Sequence, residues 1–209
     1  MNIIISSEKP ADYRAVEELV QEAFWNIYQP GCSEHLILHQ LRQHPDYMES
    51  LSKLIWVDGQ LAGQIAYCKA QLQQEQTGDV KDIALFGPFA VAPDFQRQGL
   101  GEKLVQTTLE LAKEAGISHL VIMGDPCYYA KFGFTNANQA GIYLAQQDKD
   151  EQLDFLLVLD LQQDGSICPE TGPWIFQDPE AYEVTPEEVE AFDKQFSEKK
   201  KEKRPGQLG

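Results

Sequence analysis

Residues 89–101 read Phe89-Ala90-Val91-Ala92-Pro93-Asp94-Phe95-Gln96-Arg97-Gln98-Gly99-Leu100-Gly101, and this stretch decides the fold. Its apolar start predicts a buried strand, its glycines predict a tight turn, and the residues that follow predict a long helix. The first amides of a helix have no partner within it, and the helix dipole adds positive potential at the same end. We therefore predict that a phosphorylated ligand binds the backbone amides of residues 97–102, where glycine permits close approach.

The charge balance of the 209-residue chain restricts its partners. It has 17 basic and 33 acidic residues, a net charge of −16. Such a body repels nucleic-acid phosphates, so the sequence predicts no nucleic-acid partner. The negative charge could steer a cationic amine towards a site, but general solubility is the simpler interpretation.

The cysteines and the lengths of the apolar runs indicate the cellular location of the protein. Cys32, Cys68, Cys127 and Cys168 lie far apart without a CxxC pair. This spacing argues against a zinc knuckle and a disulfide framework, and it predicts four small buried apolar side chains. No apolar run approaches the ~18 residues of a membrane span, and no basic flank or cleavage signal opens the chain. We expect a cytoplasmic protein that does not bind membranes.

The pattern of apolar residues predicts a mixed α+β fold, with a mostly antiparallel sheet flanked by helices. Strands are expected at 3–5, 54–57, 61–70, 83–91, 119–123 and 153–161, with an Asp58-Gly59 hairpin turn. Gly87-Pro88 is expected to interrupt the fourth strand, because proline removes a ladder donor. Helices are expected after Pro10, after Ser33 as far as Pro45, and at 99–115, 128–132 and 186–196.

Composition divides the chain into three predicted parts. The core domain is expected over residues 1–167, and a C-terminal extension with a peripheral helix over 168–198. The charged segment 199–209 is predicted to be a disordered tail.

Two motifs together resemble the GNAT superfamily of acyl-coenzyme A-dependent N-acetyltransferases. The phosphate loop of that family has the form Gln/Arg-x-x-Gly-x-Gly/Ala, and here Gln96-Arg97-Gln98-Gly99-Leu100-Gly101 matches it. A second signature, Tyr-x-Lys-x-Gly-Phe, is matched by residues 129–134. The strand around Gly87-Pro88 and the Gly124-Asp125-Pro126 turn resemble the YhbS-like bacterial branch. A P-loop or a Rossmann site fits less well, because Gly-Lys-Ser/Thr and GxGxxG are both missing.

The resemblance implies the GNAT fold and a cleft that binds acetyl-CoA as cosubstrate. Main-chain groups near the Gly87-Pro88 break would pair with the pantetheine arm, and the amides of the loop would hold the pyrophosphate. The implied coenzyme-binding residues are Phe89, Ala90, Val91, Gln96, Arg97, Gln98, Gly99, Leu100, Gly101 and Glu102.

Acetyl transfer also needs an acid for the departing thiolate and a base for the amine. The resemblance implies that Tyr129 is the general acid, and packing on Phe132 and Phe134 is the alternative. Glu22 and Asp125 are weak candidates for the base, since a surface or capping carboxylate is the simpler interpretation of each. Glu34, His35 and His39 have helical spacing that suggests a metal, but a further ligand is missing nearby, so no metal is predicted.

The predicted function is therefore transfer of an acetyl group from acetyl-CoA to a primary amine, by direct attack in a ternary complex. An acyl-CoA sensor with the same fold, without transferase activity, is the alternative. A homodimer is compatible with the resemblance. The acceptor amine is left open by the sequence.

Overall fold

This computed structural model describes residues 1–207, which contain nine strands and five α-helices. The strands are β1 (Ile3–Ser6), β2 (Lys53–Val57), β3 (Gln60–Gln74), β4 (Val80–Val91), β5 (His119–Met123), β6 (Thr135–Asn136), β7 (Ile142–Leu144), β8 (Leu156–Asp160) and β9 (Trp174–Phe176). The helices are α1 (Tyr13–Phe24), α2 (Glu34–Leu41), α3 (Leu100–Glu114), α4 (Pro126–Tyr129) and α5 (Pro186–Asp193). In this range no helix has the length and apolar character that crossing a membrane requires.

The chain divides into two compact units. The first unit contains Met1–Ala66, Gly87–Thr108 and Glu180–Gly209, and the second contains Tyr67–Phe86 and Leu109–Pro179. The predicted boundaries at residues 167 and 198 stay predictions.

In the first unit the strand order is β1, β2, β3, β4. β1 and β2 are antiparallel, with Ile3 opposite Val57, and β2 and β3 are antiparallel as well. The predicted hairpin turn is confirmed, because φ is 48° at Asp58 and 83° at Gly59, as a type I′ turn requires.

The helices of the first unit present apolar faces to its interior. α1 buries Val16, Leu19 and Val20, and α2 buries Leu36, Leu38 and Leu41. Ser33 precedes α2 as predicted, but its side chain makes no capping hydrogen bond. The Glu34 carboxylate instead accepts from Ser33 N, 2.9 Å away.

α5 belongs to the same unit and begins as predicted. Thr185 and Glu188 form a reciprocal capping box, which satisfies helix donors that have no partner within the helix. The helix ends at Asp193 rather than Phe196, and both Phe192 and Phe196 pack against Leu36 of α2.

The second unit contains a mixed sheet. β4 and β5 are parallel, paired at Ala84 and Leu120, β5 and β8 are antiparallel, and β6 lies beside β8. β9 pairs with β3 and with β7. The predicted α+β class with a mostly antiparallel sheet is confirmed, but the sequence missed β6, β7 and β9, whose two or three residues carry too little periodicity to detect.

α3 matches its predicted span closely, but its apolar stripe differs from the prediction. The buried residues are Leu100, Leu104, Val105, Thr108 and Ala112. The predicted stripe ended on Leu111 and Ala115, of which Ala115 is exposed. The buried face of α3 therefore includes positions 105 and 112, which the predicted stripe left out.

The predicted burial is wrong for two of the four cysteines. Cys32 and Cys68 are buried, as expected, but Cys127 is exposed and Cys168 is half-buried. Cys127 lies in the first turn of the short surface helix α4, and Cys168 lies in a loop. Within residues 1–207 none of the four cysteines forms a disulfide.

Residues 199–207 contain no helix or strand, but they contact the end of α1 within the first unit. Lys200 O accepts hydrogen bonds of 3.0 Å from Trp25 Nε1 and Asn26 Nδ2. The predicted disorder of 199–209 stays a prediction, and its last two residues lie outside the described part of the chain.

Candidate functional site

The loop that joins β4 to α3 has the geometry of an anion site. A short 3-10 turn, Pro93–Phe95, leads into it, and φ is positive at Arg97 (58°) and Gly99 (79°). Residues 96–99 are exposed. Lys103 N donates to Gly99 O at 3.0 Å, so the amides of Leu100 and Gly101 precede the first helical hydrogen bond and have no acceptor within the helix. The loop and the helix dipole together can hold a negatively charged group.

Two glutamine side chains fold back onto the backbone of this loop. Gln96 Nε2 donates to Val91 O at 3.0 Å, and Gln98 Nε2 donates to Asp94 O at 2.9 Å. Both side chains therefore hold the loop in place, and the Gln96 amide also donates within it, to Pro93 O at 3.3 Å. Arg97 and Lys103 are exposed.

The end of β4 lies close to β3 within the first unit. A Cβ on Gly63 would stand 2.7 Å from Ala90 O, so only glycine permits this approach. Gln64 Nε2 donates to Pro88 O at 2.9 Å, and Tyr182 Oη donates to Gly87 O. Sequence reasoning identified none of these three side-chain and glycine contacts.

β4 continues through Gly87 and Pro88 to Val91, and its pairing with β5 is at Ala84 and Leu120; the predicted break in pairing at Gly87-Pro88 stays a prediction. Pro88 has no N–H to donate, and its carbonyl accepts from the Gln64 side chain. Of the predicted coenzyme contacts on this strand, Phe89 and Val91 are half-buried and Ala90 is buried. Their pairing with a ligand stays a prediction.

Tyr129 belongs to the second unit and lies in a cluster of aromatic rings. Its ring centroid is 5.8 Å from that of Phe86 and 5.6 Å from that of Phe134, with Tyr128 at 5.0 Å and Phe132 at 6.3 Å. The residue is 9% exposed. The packing on Phe132 and Phe134 that the sequence suggested is therefore present, and it fixes the orientation of the ring. Its role as an acid stays a prediction.

Gly124 sets the position of the Tyr129 ring. A Cβ at Gly124 would lie 2.3 Å from Cε2 of Tyr129, a distance that no side chain tolerates without displacing the ring. The sequence showed Gly124 only as part of a turn, although a glycine five residues before the tyrosine was a detectable signal.

The two candidate bases have ordinary surroundings. Asp125 caps α4, because its carboxylate accepts from Cys127 N at 2.9 Å, and this confirms the capping interpretation. Glu22 is exposed on α1.

The histidines of α2 contact carboxylates, as the side chains of a packed helix pair do. His35 is buried, with Nε2 3.0 Å from Oδ1 of Asp193, and burial lowers its pKa, against the opposing charge of Asp193. His39 Nδ1 lies 2.9 Å from Glu17 Oε1, which also accepts from Arg42. The sequence did not reveal this buried network.

Cys32, the buried thiol nearest to these histidines, lies 3.4 Å from His35 Nδ1. Burial is the main cause that raises its pKa, far above the ordinary range of a thiol. A neutral thiol is a poor nucleophile, so its environment fits a structural role.

Comparison with known proteins gives a consistent family. The model of the Acetyltransferase (GNAT) family matches residues 14–134. The uncharacterized N-acetyltransferase YhbS of Escherichia coli K12 is 29% identical over 133 residues, which cover 63% of this chain and 73% of the relative. A second relative, the uncharacterized N-acetyltransferase YjhQ of the same strain, is 29% identical over 85 residues, 41% of this chain and 46% of the relative.

Solved structures share the fold. The crystal structure of E. coli YhbS in complex with CoA superposes with a TM-score of 0.70 at 21% identity, covering 87% of this chain and 92% of that one. A GNAT acetyltransferase from Brucella melitensis in complex with acetyl-CoA gives a TM-score of 0.65 at 24% identity, covering 87% and 99%. At these identities the likeness shows the fold alone, and it confirms the predicted GNAT fold.

Proposed function

The chain belongs to the GNAT family of acetyltransferases, and from this premise we propose that it transfers an acetyl group from acetyl-CoA to a primary amine. The observation that carries the proposal is the exposed loop 96–99 that precedes α3. The first hydrogen bond of this helix is donated by the amide of Lys103, four residues after Gly99. The loop leads to a helix N-terminus whose first amides have no acceptor within the helix, and such an end can bind a diphosphate.

In this proposal the amides of residues 97–102 hold the pyrophosphate of the coenzyme, with Gln96 opening the turn. Main-chain groups of Phe89, Ala90 and Val91 pair with the pantetheine arm. The Val91 carbonyl already accepts from Gln96, so its amide is the group we assign to the ligand. Two structural neighbours are complexes with CoA and with acetyl-CoA, which supports the choice of ligand.

The chemistry is direct attack. The neutral amine nitrogen forms a bond to the thioester carbonyl carbon, the oxyanion accepts from the Phe89 or Val91 amide, and the carbon–sulfur bond then breaks. Such an oxyanion contact contributes about 3 kcal/mol in other acyl-transfer enzymes. The departing thiolate takes a proton from the Tyr129 hydroxyl, whose ordinary pKa of about 10 suits a thiol, and the amine loses its proton to water or a carboxylate.

The alternative function is an acyl-CoA sensor that binds without transfer. Because Tyr129 is present and held by four neighbouring rings, the transferase is favoured. The cytoplasmic location, the homodimer and the identity of the amine stay predictions from the sequence.

Ligand binding and turnover test the proposal separately. In a thermal unfolding titration, acetyl-CoA at 100 times its dissociation constant should stabilise the protein by about 2.7 kcal/mol, while ATP and NAD⁺ should not. Steady-state thiol release is then measured with a panel of polyamines, amino acids, peptides and aminoglycosides. Stabilisation without amine-dependent thiol release supports the sensor, and stabilisation by ATP or NAD⁺ instead contradicts both functions.

A further inference from the structure

A second group of chemically active side chains lies in the second unit, at the start of β5 and the end of β8. His119 and Asp160 face each other as cross-strand partners in the antiparallel pair β5–β8. Asp164 follows in the loop after β8. One ligand-type atom from each of His119, Asp160 and Asp164 lies within 4.8 Å of the other two.

The imidazole ring of His119 is buried and makes no hydrogen bond within the described residues. The residue is 1% exposed, and neither ring nitrogen has a hydrogen-bond partner in residues 1–207. The nearest carboxylate atom, Asp160 Oδ1, is 3.8 Å from Nε2, too far for a hydrogen bond. Buried polar atoms in proteins almost always have a partner, so an imidazole directed at two carboxylates without one indicates a missing ligand.

The two carboxylates are held by backbone amides and keep spare acceptor capacity. Asp160 accepts from Gln163 N at 2.7 Å and from Gly165 N at 3.0 Å. Asp164 Oδ1 accepts from Ser166 N at 2.7 Å. Each carboxylate oxygen has two lone pairs, so each aspartate can still bind a cation.

One neighbouring charge opposes a cation. Lys81 donates to Ser166 Oγ, and its positive charge contributes to lowering the pKa of His119, although burial is the main cause. The like charge of Lys81 therefore weakens the binding of a cation here.

We propose that His119, Asp160 and Asp164 bind a divalent transition-metal ion of the Zn²⁺ type. One nitrogen and two carboxylate ligands fit such an ion, whereas Mg²⁺ and Ca²⁺ prefer oxygen ligands only. Ligands at about 2.1 Å from a tetrahedral ion lie about 3.4 Å apart, so the 3.8 Å gap between His119 and Asp160 must close by about 0.4 Å, and the gaps to Asp164, which are within 4.8 Å, by at most about 1.4 Å. The ion fastens the β8 loop to β5, and no step of acetyl transfer passes through it.

Isothermal titration of the full-length, chelator-treated protein with Zn²⁺ tests the site. All proteins in the series carry Cys127→Ser and Cys168→Ser, so that exposed thiolates do not compete. Asp164→Asn is the main variant because Asp164 is exposed and its loss leaves the core intact. Asp154→Asn, an exposed aspartate before the other end of β8, is the matched control.

We expect one Zn²⁺ per chain, at least tenfold weaker binding in Asp164→Asn, and unchanged binding in Asp154→Asn. Lys81→Met should bind Zn²⁺ several-fold more tightly, because a like charge is removed, and Mg²⁺ should not compete. His119→Gln should also lose binding, with its folding checked by circular dichroism. Equal affinity in Asp164→Asn and Asp154→Asn, no binding at all, or equal binding of Mg²⁺ would overturn the proposal. Acetyl-CoA titrations of the same proteins report on the proposed function independently.

Discussion

The segment that follows β4 and begins α3, residues 92–102, and the aromatic cluster around Tyr129 are built in opposite ways. The loop is exposed at 96–99, and its side-chain contacts span four or five residues, Gln98 to Asp94 and Gln96 to Val91. The cluster is buried, and its rings come from β4 at Phe86 and from the segment that reaches Phe134.

In the proposed function, this difference separates coenzyme binding from acetyl transfer. A site formed by backbone amides depends on local conformation, which glycine and helix geometry supply. A hydroxyl that must be aimed at one atom depends on rings packed from distant segments. Changes in the loop should therefore alter coenzyme affinity, and changes in the cluster should alter turnover.

A charge placed in the loop gives the largest expected effect. Gly99→Asp puts a carboxylate beside the proposed diphosphate, so CoA affinity measured by calorimetry should fall about 100-fold, or about 2.8 kcal/mol. Gly78→Asp is a matched control, because φ is 79° at Gly99 and 76° at Gly78 and neither Cβ would meet an atom within 4 Å. If both variants bind CoA alike, the loop does not hold the diphosphate.

Removing the Tyr129 hydroxyl should affect chemistry alone. Tyr129→Phe keeps the ring packing, so CoA affinity should stay within about twofold, while kcat for an accepted amine falls about 100-fold, as for loss of a general acid. Tyr128→Phe serves as the control, since its ring meets that of Tyr129 edge to face with centroids 5.0 Å apart. Unchanged kcat in Tyr129→Phe would remove the assigned role.

Alanine substitution at two crowded glycines tests the same comparison of the two regions. An added Cβ would lie 2.3 Å from the Tyr129 ring at Gly124 and 2.7 Å from Ala90 O at Gly63. Each alanine variant should lower the free energy of unfolding by about 1–3 kcal/mol, because overpacking displaces neighbours. Gly124→Ala should lower kcat about tenfold at near-normal CoA affinity, and Gly63→Ala should chiefly weaken CoA binding. The reverse pattern would contradict the separation of the two regions.

The smallest effect is expected from the two glutamine side chains that donate to the loop backbone. Gln96→Ala loses the 3.0 Å bond to Val91 O, and an exposed bond of this kind contributes about 0.5–1 kcal/mol, so CoA affinity should fall about threefold. Gln106→Ala, which removes an exposed 3.4 Å bond to Glu102 further along α3, is the control. A loss of more than tenfold in Gln96→Ala would mean that this side chain contacts the coenzyme directly.

Features that depend on neighbouring residues alone could be predicted from the sequence. A glycine loop before an amphipathic helix, Asp58-Gly59 in a two-residue turn and the Thr185–Glu188 capping box each depend on neighbouring residues only, and each was found where predicted. The same locality made the α+β class and the GNAT resemblance accessible.

Features that join distant segments became visible in the folded chain alone. These are the approach of Gly63 to Ala90, of Phe86 to Tyr129 and of His119 to Asp160, together with the pairing of β7 and β9. A contact between residues far apart in sequence leaves no periodicity in either segment, because it depends on how strands and loops pack. The glycine loop before α3 could therefore be predicted from one stretch of residues, whereas the packing of Phe86 on the Tyr129 ring could not.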